Sequence, residues 1–226
     1  MTDRAVIFDL DGTLVDTAPD LMRATNHVLA TLGRRPITMA EVRSFVGHGA
    51  RALIAMGCEA TGEPVQPRAV ETLYQEFVIY YAANIAAESK PYPGLIDLLE
   101  QCKASGIHLG VCTNKLESLS VRLLTALGLN SYFGAIVGPD TIGIAKPDPR
   151  PYFETLRRLG APDARSLLVG DSETDILTAR AAGVPVIAVP FGYTPRPVVE
   201  FGPDRMIAHF DEAWEAIEEL LAGRHS

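Results

Sequence analysis

The fold is decided by Val6-Ile-Phe-Asp-Leu-Asp-Gly-Thr-Leu14, where a short apolar run meets two acids and a glycine. The run over residues 5–10 is too short for a helix and stops at Asp11 and Gly12, so it predicts a buried β-strand. Four later apolar runs have the same character, and we expect them to be strands of the same sheet: residues 107–112, 135–137, 166–169 and 186–189.

Helical patterns separate these runs. Four of them have apolar residues at helical spacing and stop at a glycine, which suits the left-handed residue after a helix: residues 94–105, 116–127, 151–159 and 174–182. A last helix is expected over residues 211–222, at the margin of the sheet. Strands that alternate with helices predict an α/β fold with a Rossmann-like, mostly parallel sheet covered on both faces.

One long segment interrupts this alternation. Residues 15–88 contain no convincing strand, while helices are expected at residues 21–32, 40–46, 50–56 and 68–86. A connection after a parallel strand normally needs one helix and a few further residues. We therefore predict an inserted all-helical cap at residues 16–88, a core formed by residues 1–15 and 89–226, and hinges near residues 15–19 and 87–93.

The composition predicts a cytoplasmic globular protein that binds neither nucleic acid nor membranes. The 226 residues are 47% hydrophobic, and 20 basic against 28 acidic residues give a net charge of −8, which disfavours a nucleic-acid surface. The amino terminus has no secretory signal pattern. Cys58, Cys102 and Cys112 form no CxxC pair, so we expect reduced thiols that serve in packing. Monomer and homo-oligomer both remain open.

Polar side chains follow the ends of the predicted strands. In a parallel sheet the ligand crevice lies beyond those ends, and the candidates are Asp9, Asp11, Thr113, Asn114, Lys146 and Asp171. Three carboxylates in a crevice of low dielectric repel one another, and a hard divalent cation relieves the repulsion. Mg²⁺ prefers carboxylate oxygens and often completes its coordination with a substrate phosphate. The pattern predicts a magnesium-dependent phosphoryl-transfer site.

The same residues suggest a division of labour. Asp9 and Asp11 lie on the same side of the strand, so one can attack phosphorus while the other moves a proton to the leaving oxygen and then from water. Lys146 and Thr113 are expected to stabilise the phosphoryl oxygens. Taken singly, each residue has a plainer interpretation, such as a turn, a helix cap or a first-turn acid.

Four segments resemble the motifs of the haloacid dehalogenase superfamily. They are Phe8-Asp-Leu-Asp-Gly-Thr-Leu14, Cys112-Thr-Asn114, Lys146-Pro-Asp-Pro149 and Gly170-Asp-Ser-Glu-Thr-Asp175. The resemblance implies that Asp9 is a phosphoaspartyl nucleophile, that Asp11 is the general acid and base, and that Mg²⁺ is the cofactor. It also implies that Asp9, the Asp11 carbonyl and Asp171 bind the metal, with Asp175 supporting them. The dehalogenase branch lacks the second aspartate, so Asp11 indicates phosphoryl transfer.

The cap segments resemble those of phosphoglycolate phosphatases, through Asp16-Thr-Ala-Pro-Asp-Leu21 and Val46-Gly-His-Gly49. The resemblance implies a small phosphorylated acid, 2-phosphoglycolate, as substrate. Gly47, His48 and Gly49 lead into a helix whose N-terminus favours anions, and Arg51 is expected to clamp the carboxylate. Thr113, Asn114 and Lys146 are expected to bind the phosphate. In the alternative interpretation, Arg51 and His48 are ordinary surface and loop residues.

Three other functions stay open at this point. A pyrophosphatase, or another small phosphate-ester phosphatase of the same family, would need no carboxylate-binding residue. A β-phosphoglucomutase-like enzyme is disfavoured, because Leu21 stands where those mutases carry a histidine five residues beyond the equivalent of Asp16. A non-enzymatic binding module is disfavoured because the reactive residues are all present: Asp9, Asp11, Thr113, Lys146 and Asp171.

Overall fold

The computed structural model describes residues 3–222. In chain order the strands are β1 (Arg4–Phe8), β2 (Val15–Asp16), β3 (Lys90–Pro91), β4 (His108–Cys112), β5 (Ala135–Val137), β6 (Arg165–Gly170), β7 (Val186–Ala188) and β8 (Arg205–Met206). The helices are α1 (Ala18–Thr31), α2 (Met39–Phe45), α3 (Ala50–Thr61), α4 (Pro67–Ala83), α5 (Leu95–Ala104), α6 (Glu117–Ala126), α7 (Pro139–Ile142), α8 (Arg150–Arg158), α9 (Glu173–Ala182) and α10 (Ala213–Ala222).

Across residues 3–222, six parallel strands form the central sheet in the order β5-β4-β1-β6-β7-β8. The chain builds outward from β1 to β4 and β5, and then returns to the other side of β1 with β6. This reversal is the topological switch point where open α/β sheets bind their ligands. The predicted Rossmann-like fold is confirmed, and each of the five predicted strands is present within two residues of its expected bounds.

Apolar side chains of β1 alternate between two cores. Val6 and Phe8 pack into the cluster that contains α5, α6 and α10, whereas Ala5 and Ile7 pack into the cluster that contains α8 and α9. This period of two is what a strand covered on both faces requires. Because both faces of β1 are buried, the residues that follow Phe8 are delivered to a fixed position at the edge of the sheet.

The position of the last helix differs from the sequence prediction. The sequence predicts residues 211–222 at the margin of the sheet, but α10 packs on β6, an inner strand, and on α5. Ile217 and Leu221 share the cluster that holds Val6 and Phe8. The apolar stripe of α10 is evident from the sequence, but a stripe does not specify which part of a sheet it covers.

Four helices, α1–α4, follow β2 and form a separate bundle, which we call the cap. The cap has its own apolar core, in which Leu29, Ile54 and Phe77 are fully or almost fully buried. Thr38 begins α2 with a reciprocal capping box to Glu41, which satisfies backbone amides that the helix itself leaves unpaired. The four predicted cap helices are present, and the boundaries of residues 16–88 stay a prediction.

The two linkers to the cap are joined to each other. Val15 and Asp16 (β2) pair antiparallel with Lys90 and Pro91 (β3), although the sequence predicts no strand in residues 15–88. Two residues are too few to show a period, so β2 leaves no sequence signal. Asp20, at the start of α1, also accepts hydrogen bonds from the amide and hydroxyl of Ser89 at 2.9 and 2.7 Å. These contacts fix where the cap leaves and rejoins the core.

No helix in the described part of the chain is long and apolar enough to cross a membrane. Cys58, Cys102 and Cys112 are buried free thiols. Burial raises the pKa of Cys102 and of Cys112 to about 12, which keeps both protonated at neutral pH. The packing role expected for them fits this burial, while the cytoplasmic location stays a prediction.

Candidate active site

A cavity of about 240 Å³ lies between the strand ends and the cap. The sheet contributes Asp9, which follows β1, and Thr113, which follows β4, while α3 and α4 contribute most of the opposite wall. Nine of the predicted site residues line this cavity: Asp9, Asp11, Gly47, His48, Gly49, Arg51, Thr113, Asn114 and Lys146. Asp171 and Asp175 lie behind the wall rather than on it, in contact with the residues described next.

Three buried carboxylates converge behind this wall. One oxygen from each of Asp9, Asp171 and Asp175 lies within 4.8 Å of the others. Burial raises the pKa of Asp9 to about 6, and the negative charges of Asp175 and Asp11 add to the rise while Lys146 opposes it. Burial, with Asp175 and Asp9, also holds the pKa of Asp171 well above its ordinary value. The cluster concentrates negative charge that the protein alone does not neutralise.

Asp171 is held by residues from two other loops. The Thr13 hydroxyl donates to Asp171 Oδ1 at 2.9 Å, and the Tyr193 amide donates to Oδ2 at 2.5 Å. Gly12 must be a glycine here, because its φ is +87° and a Cβ would lie 2.5 Å from Asp171 Oδ2. In the first motif, Thr13 therefore binds Asp171 at the end of β6, and Gly12 leaves room for the Asp171 carboxylate. Neither Thr13 nor Tyr193 is predicted as a site residue from the sequence.

Lys146 lies between two of the acids. Its Nζ donates to Asp175 Oδ1 at 2.6 Å and lies 2.9 Å from Asp9 Oδ1. Burial alone would lower the pKa of Lys146, but the carboxylates of Asp175 and Asp9 raise it, so the ammonium stays charged. Despite the short distance, Asp9 Oδ1 accepts no hydrogen bond within residues 3–222. Asp9 Oδ1 is thus ion-paired with Lys146 without a well-aligned hydrogen bond.

Asp175 is engaged mainly by the protein itself. Besides Lys146, its carboxylate accepts hydrogen bonds from the Asp171 amide at 3.2 Å and from the Ser172 amide and hydroxyl at 3.1 and 2.6 Å. A carboxylate with this many donors has little capacity left for a ligand. These contacts are our reason for keeping the predicted supporting role for Asp175.

The acid cluster fits a hard metal cation. Carboxylate oxygens are the donors that such cations prefer, Asp9 keeps one oxygen without a hydrogen-bond partner in residues 3–222, and each oxygen of Asp171 accepts a single hydrogen bond. A cation placed among these acids would remove the repulsion that raises their pKa. The site can therefore hold a metal ion, and the roles of Asp9 and Asp171 as its side-chain ligands stay predictions.

Asp11 is bound by a residue that the sequence prediction does not include. Lys115 Nζ lies 3.0 Å from each carboxylate oxygen of Asp11, and the Thr17 hydroxyl donates to Oδ1 at 2.7 Å. The Lys115 side chain is 6% exposed. A sequence signal exists, since Lys115 directly follows Thr113 and Asn114 at the end of β4, one residue beyond the strand-end residues that we selected.

Asn114 joins three segments around the cavity. Its Nδ2 donates to the Gly47 and Lys146 carbonyls, both at 3.2 Å, and its Oδ1 accepts from the Lys146 amide at 2.9 Å. The amide group therefore positions the Lys146 backbone and touches the cap loop. The predicted contact of Asn114 with substrate stays a prediction, because the side chain is already engaged by protein backbone.

On the cap side, Arg51 faces another cap residue. Its guanidinium donates to both carboxylate oxygens of Glu71, at 2.7 and 2.9 Å, and lies 3.6 Å from the centroid of the Tyr74 ring. The Arg51 side chain is 54% exposed. The preceding loop has the conformation that only glycine adopts freely, with φ of +117° at Gly47 and +85° at Gly49. The predicted carboxylate clamp would have to use the edge of the guanidinium that Glu71 leaves free.

Comparison with known proteins identifies the family. The model of the haloacid dehalogenase-like hydrolases matches residues 6–189. This chain belongs to the haloacid dehalogenase-like hydrolase family. The hydrolase is 45% identical over 221 residues to a phosphoglycolate phosphatase of Mesorhizobium japonicum, over 98% of this chain and 97% of that protein. It is 44% identical over 218 residues to one of Agrobacterium fabrum, over 96% of this chain and 94% of that protein.

Solved structures agree with this assignment. A predicted phosphoglycolate phosphatase from Haemophilus somnus 129PT superposes on the hydrolase with a TM-score of 0.87 at 28% identity, over 96% of this chain and 98% of that one. CbbY from Rhodobacter sphaeroides, solved in complex with phosphate, gives a TM-score of 0.78 at 28% identity, over 93% and 96%. The resemblance to haloacid dehalogenase-like phosphatases inferred from the four motifs is confirmed.

Proposed function

We propose that this hydrolase is a magnesium-dependent phosphatase that converts 2-phosphoglycolate to glycolate and phosphate through an aspartyl-phosphate intermediate. One observation is central to the proposal. Asp9 lines a cavity at the strand ends, and its buried Oδ1 lies 2.9 Å from the Lys146 ammonium with no well-aligned hydrogen bond within residues 3–222. The relatives called phosphoglycolate phosphatases, at 44–45% identity over nearly the whole chain, support the choice of substrate.

In the first step, Asp9 attacks the phosphorus of the bound ester. An oxygen of the Asp9 carboxylate forms the new bond to phosphorus, and the bond from phosphorus to the ester oxygen breaks. Lys146 supplies positive charge to the phosphoryl oxygens, and the Thr113 hydroxyl lines the same cavity to donate a hydrogen bond. Asp175 and Asn114 hold Lys146 in place, through its ammonium and its backbone respectively.

Asp11 moves the proton in both steps. It gives a proton to the leaving glycolate oxygen, and it then takes one from the water that hydrolyses the aspartyl phosphate. The Thr17 hydroxyl and Lys115 fix the orientation of its carboxylate. Because two partners already hold the Asp11 carboxylate in one orientation, it needs no conformational change before it transfers a proton.

Magnesium is the cation we propose for the acid cluster, held by Asp9, Asp171 and the carbonyl of Asp11. When bound, it neutralises carboxylate charge and stabilises negative charge on the phosphoryl group. The protein's part is to hold Asp171 through Thr13 and the Tyr193 amide. Asp175 supports the cluster from behind.

The cap is proposed to exclude bulk water and to bind the leaving group. Its loop at residues 47–49 contacts Asn114 and leads into α3, whose N-terminus favours an anion. Arg51 remains a proposed clamp for the carboxylate. A phosphatase for small esters without a carboxylate, or a pyrophosphatase, is the second candidate, and it is favoured by the pairing of Arg51 with Glu71.

A substrate panel tests this proposal. Initial rates with 2-phosphoglycolate, pyrophosphate, ethyl phosphate and β-glucose 1-phosphate, each with a Mg²⁺ titration, give kcat/KM for each class of ester. We expect 2-phosphoglycolate to have the highest kcat/KM and all activity to require the metal. A higher kcat/KM for pyrophosphate or for the neutral ester would instead support the second candidate.

Cellular location and assembly stay predictions. We propose a cytoplasmic enzyme whose partner is its small-molecule substrate rather than nucleic acid or a membrane, in keeping with the net charge of −8. Size-exclusion chromatography with light scattering decides between monomer and homo-oligomer.

A further inference from the structure

The Tyr81 hydroxyl is a buried polar group that the roles above leave unexplained. Tyr81 lies in α4, is 1% exposed and lines the cavity. Within residues 3–222 its hydroxyl has no hydrogen-bond partner. Burial of an unpaired hydroxyl costs free energy, and most buried polar atoms in proteins are paired. Tyr81 lines the cavity although its hydroxyl oxygen has almost no accessible surface, so a ligand in the cavity would pair with this hydroxyl after a small shift of the side chain.

Lys115 lies beside this hydroxyl and has a donor to spare. Its Nζ is 4.5 Å from the centroid of the Tyr81 ring, and it also lines the cavity. An ammonium has three N–H donors; Lys115 Nζ donates to the two oxygens of Asp11, and Tyr81 is the other side chain that this ammonium meets. Burial would lower the pKa of Lys115, but Asp11 raises it, so the group is a cation.

The chemistry of the proposed substrate places its second anion near this pair. Asp11 is proposed to protonate the ester oxygen, and Lys115 contacts Asp11 itself, so Lys115 lies on the leaving-group side of the site. In 2-phosphoglycolate the carboxyl carbon is two bonds from the ester oxygen. A carboxylate this close to the oxygen that Asp11 protonates falls within the surroundings of Asp11, where Lys115 and Tyr81 both lie.

We propose that Lys115 and Tyr81 form the subsite that binds the substrate carboxylate, an inference that rests on the proposed function. The free N–H of Lys115 and the hydroxyl of Tyr81 donate to the two carboxylate oxygens. The hydroxyl gains the partner that it lacks within residues 3–222, and the carboxylate binds a buried cation at low dielectric. One donor comes from the core and the other from the cap, so a bound carboxylate joins the two units.

Arg51 is less suited to this role. Its Nε and one terminal nitrogen already donate to Glu71, which leaves only the other edge of the guanidinium for a second anion, and its side chain is more than half exposed. An exposed ion pair is screened by water and contributes little. A carboxylate bound by Arg51 would share the guanidinium with Glu71 and remain exposed to water, whereas Lys115 and Tyr81 are buried residues of the cavity lining.

The test compares two esters that differ only in the group to be recognised. The esters are 2-phosphoglycolate and 2-hydroxyethyl phosphate, in which a neutral CH₂OH replaces the carboxylate. In Tyr81→Phe we expect kcat/KM for 2-phosphoglycolate to fall about tenfold, as for a hydrogen bond to a charged group, and kcat/KM for 2-hydroxyethyl phosphate to change less than twofold. Phenylalanine retains the ring that Lys115 contacts, so we expect the variant to keep its thermal stability, and thermal unfolding checks this.

Lys115→Met is interpreted differently, because Lys115 also contacts Asp11. Both esters lose activity when Asp11 is less well oriented, so the informative quantity is the ratio of the two losses. We expect 2-phosphoglycolate to lose at least about tenfold more than the neutral ester. Equal losses for the two esters would show that Lys115 acts through Asp11 alone and would overturn its place in the subsite.

Inhibition by products gives a readout that does not depend on turnover. Glycolate alone carries the carboxylate and therefore tests the proposed subsite. Inorganic phosphate tests the phosphoryl site at the strand ends. In Tyr81→Phe we expect the inhibition constant of glycolate to rise severalfold and that of phosphate to stay the same. Tyr80→Phe, one residue along α4 and outside the cavity lining, is the matched control and should change neither constant.

The outcomes separate this inference from the proposed function. A wild-type enzyme without preference for 2-phosphoglycolate over 2-hydroxyethyl phosphate would overturn the proposed function, and the subsite with it. A wild-type preference that survives in Tyr81→Phe and Lys115→Met would overturn the subsite alone. The subsite is also overturned if Arg51→Ala abolishes the preference while Tyr81→Phe retains it.

Discussion

The two halves of the cavity are built on different principles. At the strand ends, Lys146 and Asp171 are buried and hydrogen-bonded to residues from other loops. On the cap side, Leu53 and Phe77 give an apolar wall, and the Tyr81 hydroxyl has no partner within the described chain. Under the proposed function, this difference assigns the chemistry of the phosphoryl group to the sheet side and the choice of leaving group to the cap.

Their surroundings explain this division. The loops at the ends of buried parallel strands begin from backbone that is held by packing on both faces of the sheet. The charged side chains on these loops can therefore be positioned to within about 0.5 Å. The cap meets the core through contacts such as Leu119 and Tyr193 with its apolar core, and through the paired linkers β2 and β3. Such a unit can change its lining without disturbing the acids at the strand ends.

The largest expected effect concerns the nucleophile. Asp9→Asn should lower kcat for p-nitrophenyl phosphate by at least about 10⁴-fold, because an amide oxygen does not form the covalent intermediate. Steady-state rates with Mg²⁺ measure it, and Asp163→Asn, an exposed acid after α8, is the control. Activity within tenfold of wild type in Asp9→Asn would break the assignment of chemistry to the strand ends.

The second effect concerns proton transfer. Asp11→Asn should slow both formation and hydrolysis of the aspartyl phosphate by about 10²–10⁴-fold, since one group acts as acid and then as base. Rapid-quench measurements follow the two steps separately. If the rate of the hydrolysis step were unchanged, Asp11 would act only as the acid in the first step and not as the base in the second.

The third effect is on stability and follows from the acid cluster. The pKa of Asp9 is raised from 3.8 to about 6, and that of Asp171 is also raised. Folded protein without metal therefore binds more protons than the unfolded chain above about pH 4. The stabilisation from these protons is complete below the unfolded pKa and is lost as the pH rises through about 6.

Mg²⁺ should restore that stability at high pH. At a fixed concentration of about 100 times the Kd measured at pH 8, we expect a gain of about 2.7 kcal/mol in the free energy of unfolding at pH 8 and a smaller gain at pH 5, where protons compete with the metal. Thermal unfolding with Mg²⁺ or EDTA at matched ionic strength measures the gain. Asp171→Asn should abolish it, and a gain that this variant retains would place the metal elsewhere.

A smaller effect is expected where the two halves meet. The Tyr193 hydroxyl donates to Asp16 at 2.5 Å and accepts from the Ala18 amide at 2.9 Å, while its backbone amide holds Asp171. Tyr193→Phe removes the first two contacts and keeps the third. We expect a loss of about 1–2 kcal/mol in stability by chemical denaturation, with Mg²⁺ affinity unchanged. If the free energy of Mg²⁺ binding fell by a similar amount, the contacts of the linker would have to contribute to the metal site as well.

The smallest effect is expected at Arg51. If the carboxylate is bound by Lys115 and Tyr81, Arg51→Ala should change KM for 2-phosphoglycolate less than twofold, because an exposed ion pair with Glu71 contributes little. Glu71→Gln, which frees Arg51, is the companion variant and should also have little effect. A KM that rises tenfold in Arg51→Ala and falls in Glu71→Gln would restore Arg51 as the clamp.

The strand-end half could be predicted from the sequence because its signals are local. Asp9 and Asp11 stand next to a strand whose burial is evident from Val6, Ile7 and Phe8, and parallel strands bring their ends together by geometry. Lys115 could have been found in the same way, one residue further along the chain. Tyr193 could not, because its role depends on a loop returning from β7 to Asp171.

The cap half could be predicted only as a set of helices. Apolar periodicity located α1–α4, but it did not reveal that Arg51 would meet Glu71 or that Tyr81 would line a cavity. Those contacts depend on how two helices rotate about their axes, and a single sequence does not specify that rotation. The two-residue strands β2 and β3 were missed because a period of two needs more than two residues to be seen.

The most direct measurement is the location of the transferred phosphoryl group. Enzyme mixed with 2-phosphoglycolate and Mg²⁺ is quenched in acid within the first turnover, digested, and analysed by mass spectrometry for acyl phosphate. We expect one phosphoryl group on the peptide that contains Asp9, and none when Mg²⁺ is replaced by EDTA. Turnover at a normal rate with no modified Asp9, or with the phosphoryl group on another residue, would contradict the proposed mechanism.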